Sequence, residues 1–139
     1  MKVCIQGSNL SALTLAKALI NQNIFVDILV SKKTSSINKS RTLGISRSNV
    51  EFFNKYIINI NNIIWKIKKI DIFTENYKKK LINFQNNREI LFCIIKNYEL
   101  YQILHKSLSK NKNCKIINKN KNINFFKNYD LIINTDYSN

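Results

Sequence analysis

The fold is decided by the first thirty residues, Met1 to Val30, which read MKVCIQGSNLSALTLAKALINQNIFVDILV. Lys2–Gln6 is a short apolar run with two β-branched residues, and it stops at Gly7. From Leu10 onwards, apolar residues recur at intervals of three and four, as one buried helical face requires. A second apolar run, Ile24–Val30, follows a polar connection. The stretch therefore predicts a strand, a tight turn, a helix and a second strand, the elements of a right-handed parallel crossover.

The turn between the first strand and the helix is Gly7-Ser8-Asn9-Leu10-Ser11-Ala12. It lies where dinucleotide-binding folds carry a glycine fingerprint that holds a pyrophosphate on the helix N-terminus. Only the first glycine is present, and Gly7 supplies the sharp turn. Asn9 stands where a missing side chain would admit the pyrophosphate, and Ala12 replaces the glycine of the close helix–strand contact. An ordinary strand–turn–helix junction that binds no nucleotide is an equally open interpretation.

The chain is strongly basic, with 23 Lys and Arg residues against 8 Asp and Glu residues and a net charge of +15. The lysines are scattered along the sequence, without a basic helix and without arginine interleaved with aromatic residues. We therefore expect no nucleic-acid binding, whereas a diffuse positive surface suits peripheral contact with anionic lipid.

Three cysteines, Cys4, Cys93 and Cys114, lie in or beside apolar runs without metal-binding spacing, so we expect buried, reduced thiols. His105 is the only histidine, and no metal site is expected. No segment reaches the eighteen or so apolar residues of a membrane span. The sequence is thus typical of a cytoplasmic domain, with peripheral contact to the inner membrane left open.

Beyond Val30 the polar segment Ser31–Ser40 predicts a loop, and Ser46 is a suitable N-cap for a helix over Arg47–Tyr56. Trp65 is expected to be a buried anchor or a lid over a pocket. An antiparallel insertion, at about residues 66–96, is expected from three short strands at Lys68–Glu75, Lys80–Phe84 and Leu91–Lys96.

The remaining elements are a helix over Asn97–Lys110 and strands at Cys114–Asn118 and Asp130–Asn134. The whole order predicts a single α/β domain over residues 1–139, with a mostly parallel open sheet and a small inserted antiparallel meander.

Several patterns together resemble the N-terminal flavin-binding part of class A flavoprotein monooxygenases, most closely the aromatic-ring hydroxylases of ubiquinone biosynthesis. The first is the altered glycine turn with its flanking strands. Arg41–Ser46 is similar to the family's Arg-x-x-Ala-Leu-Ser before the second helix. Ile94–Leu100 is similar to Val-Val-Glu-Asn-x-x-Leu before the long helix, and Leu131–Asn139 to the apolar strand that ends in Gly-Ala-Asp-Gly-x-x-Ser.

The resemblance implies a Rossmann-like FAD-binding fold in an enzyme that uses reduced nicotinamide cofactor, NAD(P)H, to hydroxylate an aromatic ring. It implies seven cofactor-binding residues and no catalytic residue. At the FAD pyrophosphate these are Gly7, Ser8, Asn9 and Ala12, and elsewhere on the cofactor they are Arg41, Asn97 and Asp136. A solvated loop arginine and a strand-end turn residue remain the alternatives for Arg41 and Asp136.

The departures from the family pattern are as informative as the matches. Val30 stands where the family has an acidic residue for the adenosine ribose, Asp27 lies three residues earlier, and Tyr137 replaces a glycine. The family's second flavin-contacting motif and its substrate sheet have no counterpart, so we expect a truncated domain that hydroxylates nothing alone. Its expected partners are a C-terminal half or a quinone-biosynthesis complex, with an aromatic polyprenyl substrate. The alternative is a non-catalytic Rossmann-like remnant or interaction module.

Overall fold

A computed structural model of the chain describes residues 1–30, 39–75, 77–85, 90–118 and 123–136. Most of the predicted loop at Ser31–Ser40, and Tyr137, lie outside these residues. Within them, the helices are α1 (Leu10–Asn21), α2 (Arg47–Phe52) and α3 (Asn97–Ser109). The strands are β1 (Lys2–Gln6), β2 (Phe25–Val30), β3 (Thr42–Ile45), β4 (Ile64–Ile67), β5 (Lys69–Thr74), β6 (Tyr77–Gln85), β7 (Phe92–Lys96), β8 (Cys114–Asn118) and β9 (Leu131–Asn134).

Four strands form a parallel sheet in the order β8-β2-β1-β9. The register places Ile5 of β1 beside Ile28 of β2 and Ile133 of β9. Alternate residues of a strand point to opposite faces of its sheet, and Val3 and Ile5 share one face with Val26 and Ile28. Those four side chains are buried in a single core cluster with α1 and α3. The parallel sheet with its crossover helix confirms the predicted α/β fold.

Helix α1 has the buried face that its sequence predicts. Ala12, Leu13, Ala16 and Ile20 are buried, and the flanking leucines of the same helix pack against them. The helix ends at Asn21, and Asn23 adopts a positive φ of 61°, the conformation that glycine usually supplies after a helix. The amide of Ile24 then donates to the carbonyl oxygen of Leu19 at 3.1 Å, which directs the chain into β2.

Helix α3 packs against α1 and buries Leu100, Leu104 and Leu108. The three leucines recur every four residues, so they form one stripe along the helix. Strand β8 follows after a short turn, in which the amide of Cys114 donates to the carbonyl oxygen of Asn111 at 3.0 Å. The helix therefore runs back across the sheet before the chain enters β8.

The antiparallel part of the chain is present but is arranged differently from the predicted meander. Strands β5 and β6 pair with each other as a hairpin. Strand β7 instead pairs with β3 on one side and β4 on the other, in a separate sheet. Strand β3 was not predicted, because its four residues include Gly44 and form backbone hydrogen bonds only with β7.

Ser46 caps α2 as predicted, since its hydroxyl accepts from the amide of Asn49 at 3.2 Å. The helix then widens into one π-helical turn over Phe53–Ile57. Trp65 is not a buried anchor: 52% of its surface is exposed, and the ammonium group of Lys96 lies 5.1 Å from the centre of its ring. Adjacent residues of a strand point to opposite sides, and Ile64 packs against the core, so the indole of Trp65 points away from it.

Cys4 and Cys93 are buried and Cys114 is half-buried, each as a free thiol. Burial, followed by the negative charge of Asp27, raises the pKa of Cys4 above its usual value and that of Cys114 to about 11. The thiols of Cys4 and Cys114 therefore stay protonated at neutral pH. No helix in the described ranges is long and apolar enough to cross a bilayer.

Candidate cofactor site

The turn that follows β1 is fixed by Gly7, which has a φ of +117°. Its amide donates to the carbonyl oxygen of Leu29 at 2.9 Å, so the chain leaves the sheet sharply. A Cβ atom at this position would collide with the hydroxyl of Thr135 and lie 2.6 Å from a carboxylate oxygen of Asp136. The end of β9 therefore packs directly on Gly7, and the first and last sequence motifs meet in space.

Asn9 begins α1 as an N-cap. Its side-chain oxygen accepts from the amide of Ala12 at 2.9 Å, and its side-chain nitrogen donates to the carbonyl oxygen of Thr135 at 2.7 Å. Its φ of −73° is ordinary extended backbone, so the tolerance of asparagine for positive φ is not used here. The amide of Ala12 is thereby engaged, and the buried methyl group of Ala12 packs in the core.

The first turn of α1 retains donors for an anion. Among the described residues, the amides of Leu10 and Ser11 have no hydrogen-bond partner, and the first turn contains no acidic side chain. The partial positive charge of a helix N-terminus favours an anion at this place. Ser8 and Ser11 add hydroxyl groups beside it, because both side chains reach the surface.

Arg41 and Asn97 lie together although 56 residues separate them. The amide of Asn97 donates to the carbonyl oxygen of Arg41 at 3.0 Å, which continues the ladder between β3 and β7. The guanidinium of Arg41 is exposed. The side-chain oxygen of Asn97 is buried and has no hydrogen-bond partner among the described residues. Such an acceptor is costly to leave unpaired, so a donor from a ligand would satisfy it.

Topology brings these groups to one edge of the parallel sheet. Helix α1 follows β1 and therefore begins at the carboxyl ends of the strands, beside Asp136 after β9. Helix α3 precedes β8, so it runs back across the sheet and also begins at the carboxyl edge, with Asn97 as its first residue. Ligands of open α/β sheets bind at this edge.

Neither Val30 nor Asp27 offers a free carboxylate that could bind the adenosine ribose. Val30 ends β2 at the carboxyl edge and offers no hydrogen-bond acceptor from its side chain. Asp27 is 5% exposed and cannot replace the missing acid, because the hydroxyl of Tyr129 donates to it at 2.6 Å and the ammonium of Lys2 lies at 3.0 Å. Its carboxylate is already paired inside the fold.

Two residues at this edge were missed by the sequence analysis. Thr135 contacts Gly7, accepts from Asn9 through its carbonyl oxygen, and donates its hydroxyl to the carbonyl oxygen of Gln6 at 2.8 Å. Asn118 ends β8 directly beside Val30 and places an exposed amide at the end of the sheet. The contacts of the folded chain identify Thr135, although it lies within the Leu131–Asn139 stretch, and the strand register identifies Asn118.

No protein-family model matches the sequence, and no curated protein matches it. Solved structures do match the fold. The p-nitrophenol 4-monooxygenase of Pseudomonas putida superposes with a TM-score of 0.68 at 12% identity, over 84% of this chain and 31% of that one. HpxO of Klebsiella pneumoniae, solved with FAD and uric acid, gives 0.64 at 13% identity, over 84% and 30%.

A third match is the 2,6-dihydroxypyridine-3-hydroxylase of Arthrobacter nicotinovorans, with a TM-score of 0.61 at 12% identity over 83% of this chain and 28% of that one. The chain thus spans about a third or less of the length of each of these proteins. At these identities the likeness concerns the fold. The chain has the fold of the FAD-binding domain of FAD-dependent aromatic monooxygenases.

Proposed function

We propose that this chain is the N-terminal FAD-binding part of a monooxygenase that hydroxylates an aromatic ring. The observation that carries the proposal is the buried side-chain oxygen of Asn97, which has no partner within the described ranges and lies beside Arg41, at the sheet edge where open α/β folds take their ligands. A buried acceptor without a donor is explained most simply by a bound group that supplies one.

The residues at the edge suit the parts of FAD. The free amides of Leu10 and Ser11, with the hydroxyl of Ser8, would hold the pyrophosphate. The guanidinium of Arg41 is suited to phosphate or ribose oxygens, and Asn97 would accept a hydrogen bond. Asp136 lies beside Gly7 at the same edge. FAD, when bound and reduced by NAD(P)H, would supply the oxygen chemistry, and the chain would position it.

The finer assignment is a hydroxylase of ubiquinone biosynthesis, with an aromatic polyprenyl substrate. Its support is the order of the four sequence stretches, of which Arg41–Ser46 and Ile94–Leu100 now pair as neighbouring strands. A C-terminal half, or another protein of a quinone-biosynthesis complex, would have to add the substrate site. The partial coverage of the matched structures supports that requirement.

Titration of the purified chain with FAD, followed by flavin fluorescence, tests the proposal. The Asn97→Ala variant should bind FAD at least about tenfold more weakly, because one buried hydrogen bond is lost. Its free energy of unfolding without FAD should not fall, since the removed oxygen has no partner among the residues that the structure describes. Gln102→Ala, in the same helix but exposed, is the matched control and should leave FAD binding unchanged. A folded wild-type chain that takes up no FAD in high micromolar excess would contradict the proposal.

A second candidate function is a non-catalytic Rossmann-like module that has lost its cofactor. Two observations favour it: the side chain of Asn9 is satisfied within the chain, and Val30 offers no acceptor to a ribose. The double variant Asn9→Gly with Val30→Glu should then raise FAD affinity. If the folded double variant binds no better than the wild type, the two lost contacts do not explain an absence of binding.

A further inference from the structure

Where its register is regular, at Lys69–Ile72 and Ile82–Gln85, the hairpin of β5 and β6 has one apolar face and one polar face. Beyond the register shift that follows Ile72, the apolar residues Phe73 and Leu81 are also exposed, by 56% and 63%. The regular register pairs Ile70 with Phe84 and Ile72 with Ile82, and paired residues of a hairpin share a face. Three of these four side chains are exposed, by 41% for Ile72, 43% for Ile82 and 50% for Phe84. The other face carries Lys69, Asp71, Asn83 and Gln85. We call the four apolar side chains the hairpin face.

Nothing in the described part of the chain covers the hairpin face. None of its four residues belongs to the hydrophobic core or is packed against it, although Ile64 and Ile90, on either side of the hairpin, are. An isolated two-stranded hairpin is marginal in water and needs a third strand or an apolar surface. Exposed apolar surface of this kind, rimmed by polar residues, marks an interaction site.

The charge around the hairpin indicates which kind of partner the hairpin face can contact. Asp71 is held by the ammonium groups of Lys69 and Lys80, each at 3.0 Å, so two lysines share one carboxylate and the polar face stays positive. Residues 64–85 contain six lysines against two acidic residues, Asp71 and Glu75. A second copy of the chain would bring two such positive hairpins together, which like-charge repulsion disfavours.

We propose that the hairpin face lies on an anionic lipid surface, with Lys66, Lys68, Lys69 and Lys80, in and beside the hairpin, near the headgroups. Amphipathic elements with a basic polar side bind at the membrane interface through buried apolar area together with attraction to anionic lipid. Trp65, 52% exposed and only four residues before β5, is of the residue type that concentrates at this interface. The contact is independent of the flavin site, because it uses no residue of the sheet edge.

Co-sedimentation of the full chain with lipid vesicles tests the proposal. The wild type should bind vesicles of phosphatidylcholine containing phosphatidylglycerol at least about tenfold more tightly than vesicles of phosphatidylcholine alone. The variant Ile72→Ser with Ile82→Ser should bind the anionic vesicles at least about tenfold more weakly, because the buried apolar area is lost. The control, Phe25→Ser with Phe52→Ser, removes two apolar side chains elsewhere that are each 52% exposed, more than Ile72 and Ile82, and should bind like the wild type.

Two double lysine variants distinguish vesicle binding at the hairpin from binding through the charge of the whole surface. Lys66→Gln with Lys68→Gln, next to the hairpin, should weaken binding about tenfold. Lys106→Gln with Lys110→Gln, exposed near the end of α3, removes the same charge and should weaken it less than about threefold. Circular dichroism establishes that each variant is folded.

Three results would overturn the proposal. One is a folded wild type that does not bind the anionic vesicles. Another is an equal loss of binding in the Lys66/Lys68 and Lys106/Lys110 double variants. The third is a concentration-dependent dimer, seen by sedimentation velocity and abolished by the two serine substitutions in the hairpin, without vesicle binding. That last result would assign the hairpin face to a second copy of the chain.

Discussion

The side-chain nitrogen of Asn9 donates a hydrogen bond of 2.7 Å to the carbonyl oxygen of Thr135, which lies 126 residues further along the chain. The same side chain caps α1 through its oxygen. One residue therefore fastens the first helix of the crossover to the end of the edge strand β9. Where the dinucleotide fingerprint has a glycine, this chain has Asn9, whose side chain links α1 to the end of β9 at the candidate site.

Replacing Asn9 by alanine should lower the free energy of unfolding by about 2 kcal/mol, because both the helix cap and the bond to Thr135 are lost. Urea denaturation followed by circular dichroism measures the change. Ser11→Ala, at an exposed position of the same helix turn, should change it by no more than about 0.5 kcal/mol. Equal effects of the two substitutions would mean that the Asn9 contacts contribute nothing to stability.

The two glycines of the chain should respond differently to alanine. Gly7→Ala should lower the free energy of unfolding by about 1–3 kcal/mol or more, because φ is +117° and the added Cβ would meet Thr135 and Asp136. Gly44→Ala should be tolerated within about 0.5 kcal/mol, since its added Cβ would meet only a ring carbon of Phe92 at 3.9 Å. Denaturant midpoints of the two variants, measured side by side, provide the comparison. A destabilising Gly44→Ala with a neutral Gly7→Ala would contradict this packing.

Tyr129→Phe should lower the free energy of unfolding by about 2 kcal/mol, because the buried carboxylate of Asp27 loses its hydrogen bond from the phenol. Tyr98→Phe, at a surface hydrogen bond, is the control and should change stability much less. Both values come from urea denaturation at neutral pH. Equal stability of the Tyr129→Phe variant and the wild type would show that Lys2 alone satisfies Asp27.

The phenol of Tyr129 should also lose its proton at a higher pH than an ordinary tyrosine does. Burial, followed by the hydrogen bond to Asp27, raises the pKa of Tyr129 well above its usual value of 10.0. Its contribution to stability is therefore complete below pH 10 and is lost as the pH rises through the raised pKa. Burial also raises the pKa of Tyr101, so a spectrophotometric titration should show one more late-titrating tyrosine in the wild type than in Tyr129→Phe.

The hairpin should become sensitive to acid through Asp71. The hydrogen bond from Asn83, and then the bonds from Lys80 and Lys69, lower the pKa of Asp71 from 3.8 to about 2. Because its pKa is lowered, the ionised Asp71 carboxylate contributes fully to stability above its usual pKa of 3.8. That contribution is lost as the pH falls towards about 2. Nuclear magnetic resonance of the Ile72 and Ile82 amides should show a transition in that range. It should be absent in Asp71→Asn and unchanged in Glu51→Gln, whose site is a surface ion pair on α2.

Much of the fold was predictable because its signals are local. Strand β8 has the predicted bounds, and α3 ends one residue earlier than expected. The cap at Ser46 was likewise recognisable from the residue type and its position before a helix. In each case a period of two or of about 3.6 residues, or one short side chain, is enough to identify the element.

The antiparallel region was harder because its outcome depends on partners far away in sequence. Thr42–Ile45 became a strand only by pairing with Phe92–Lys96, which withdrew the latter from the expected meander. The exposure of Trp65 was unpredictable for the same reason, since it depends on which side of β4 faces the core. Local sequence favours extended backbone in all these segments but does not choose their neighbours.

The sequence by itself determined the crossover of β1, α1 and β2, because hydrophobic periodicity within thirty residues specifies each element and the face that it buries. The resemblance adds a prediction of cofactor-binding residues, and it stays a prediction: Gly7, Ser8, Asn9, Ala12, Arg41, Asn97 and Asp136. The tertiary structure alone decided that Asn9 bonds to Thr135 and that Asp27 pairs with Tyr129. It also left the buried side-chain oxygen of Asn97 without a donor from the described part of the chain. These outcomes depend on contacts across most of the chain, and such contacts are selected by the packing free energy of the whole domain rather than by any local preference.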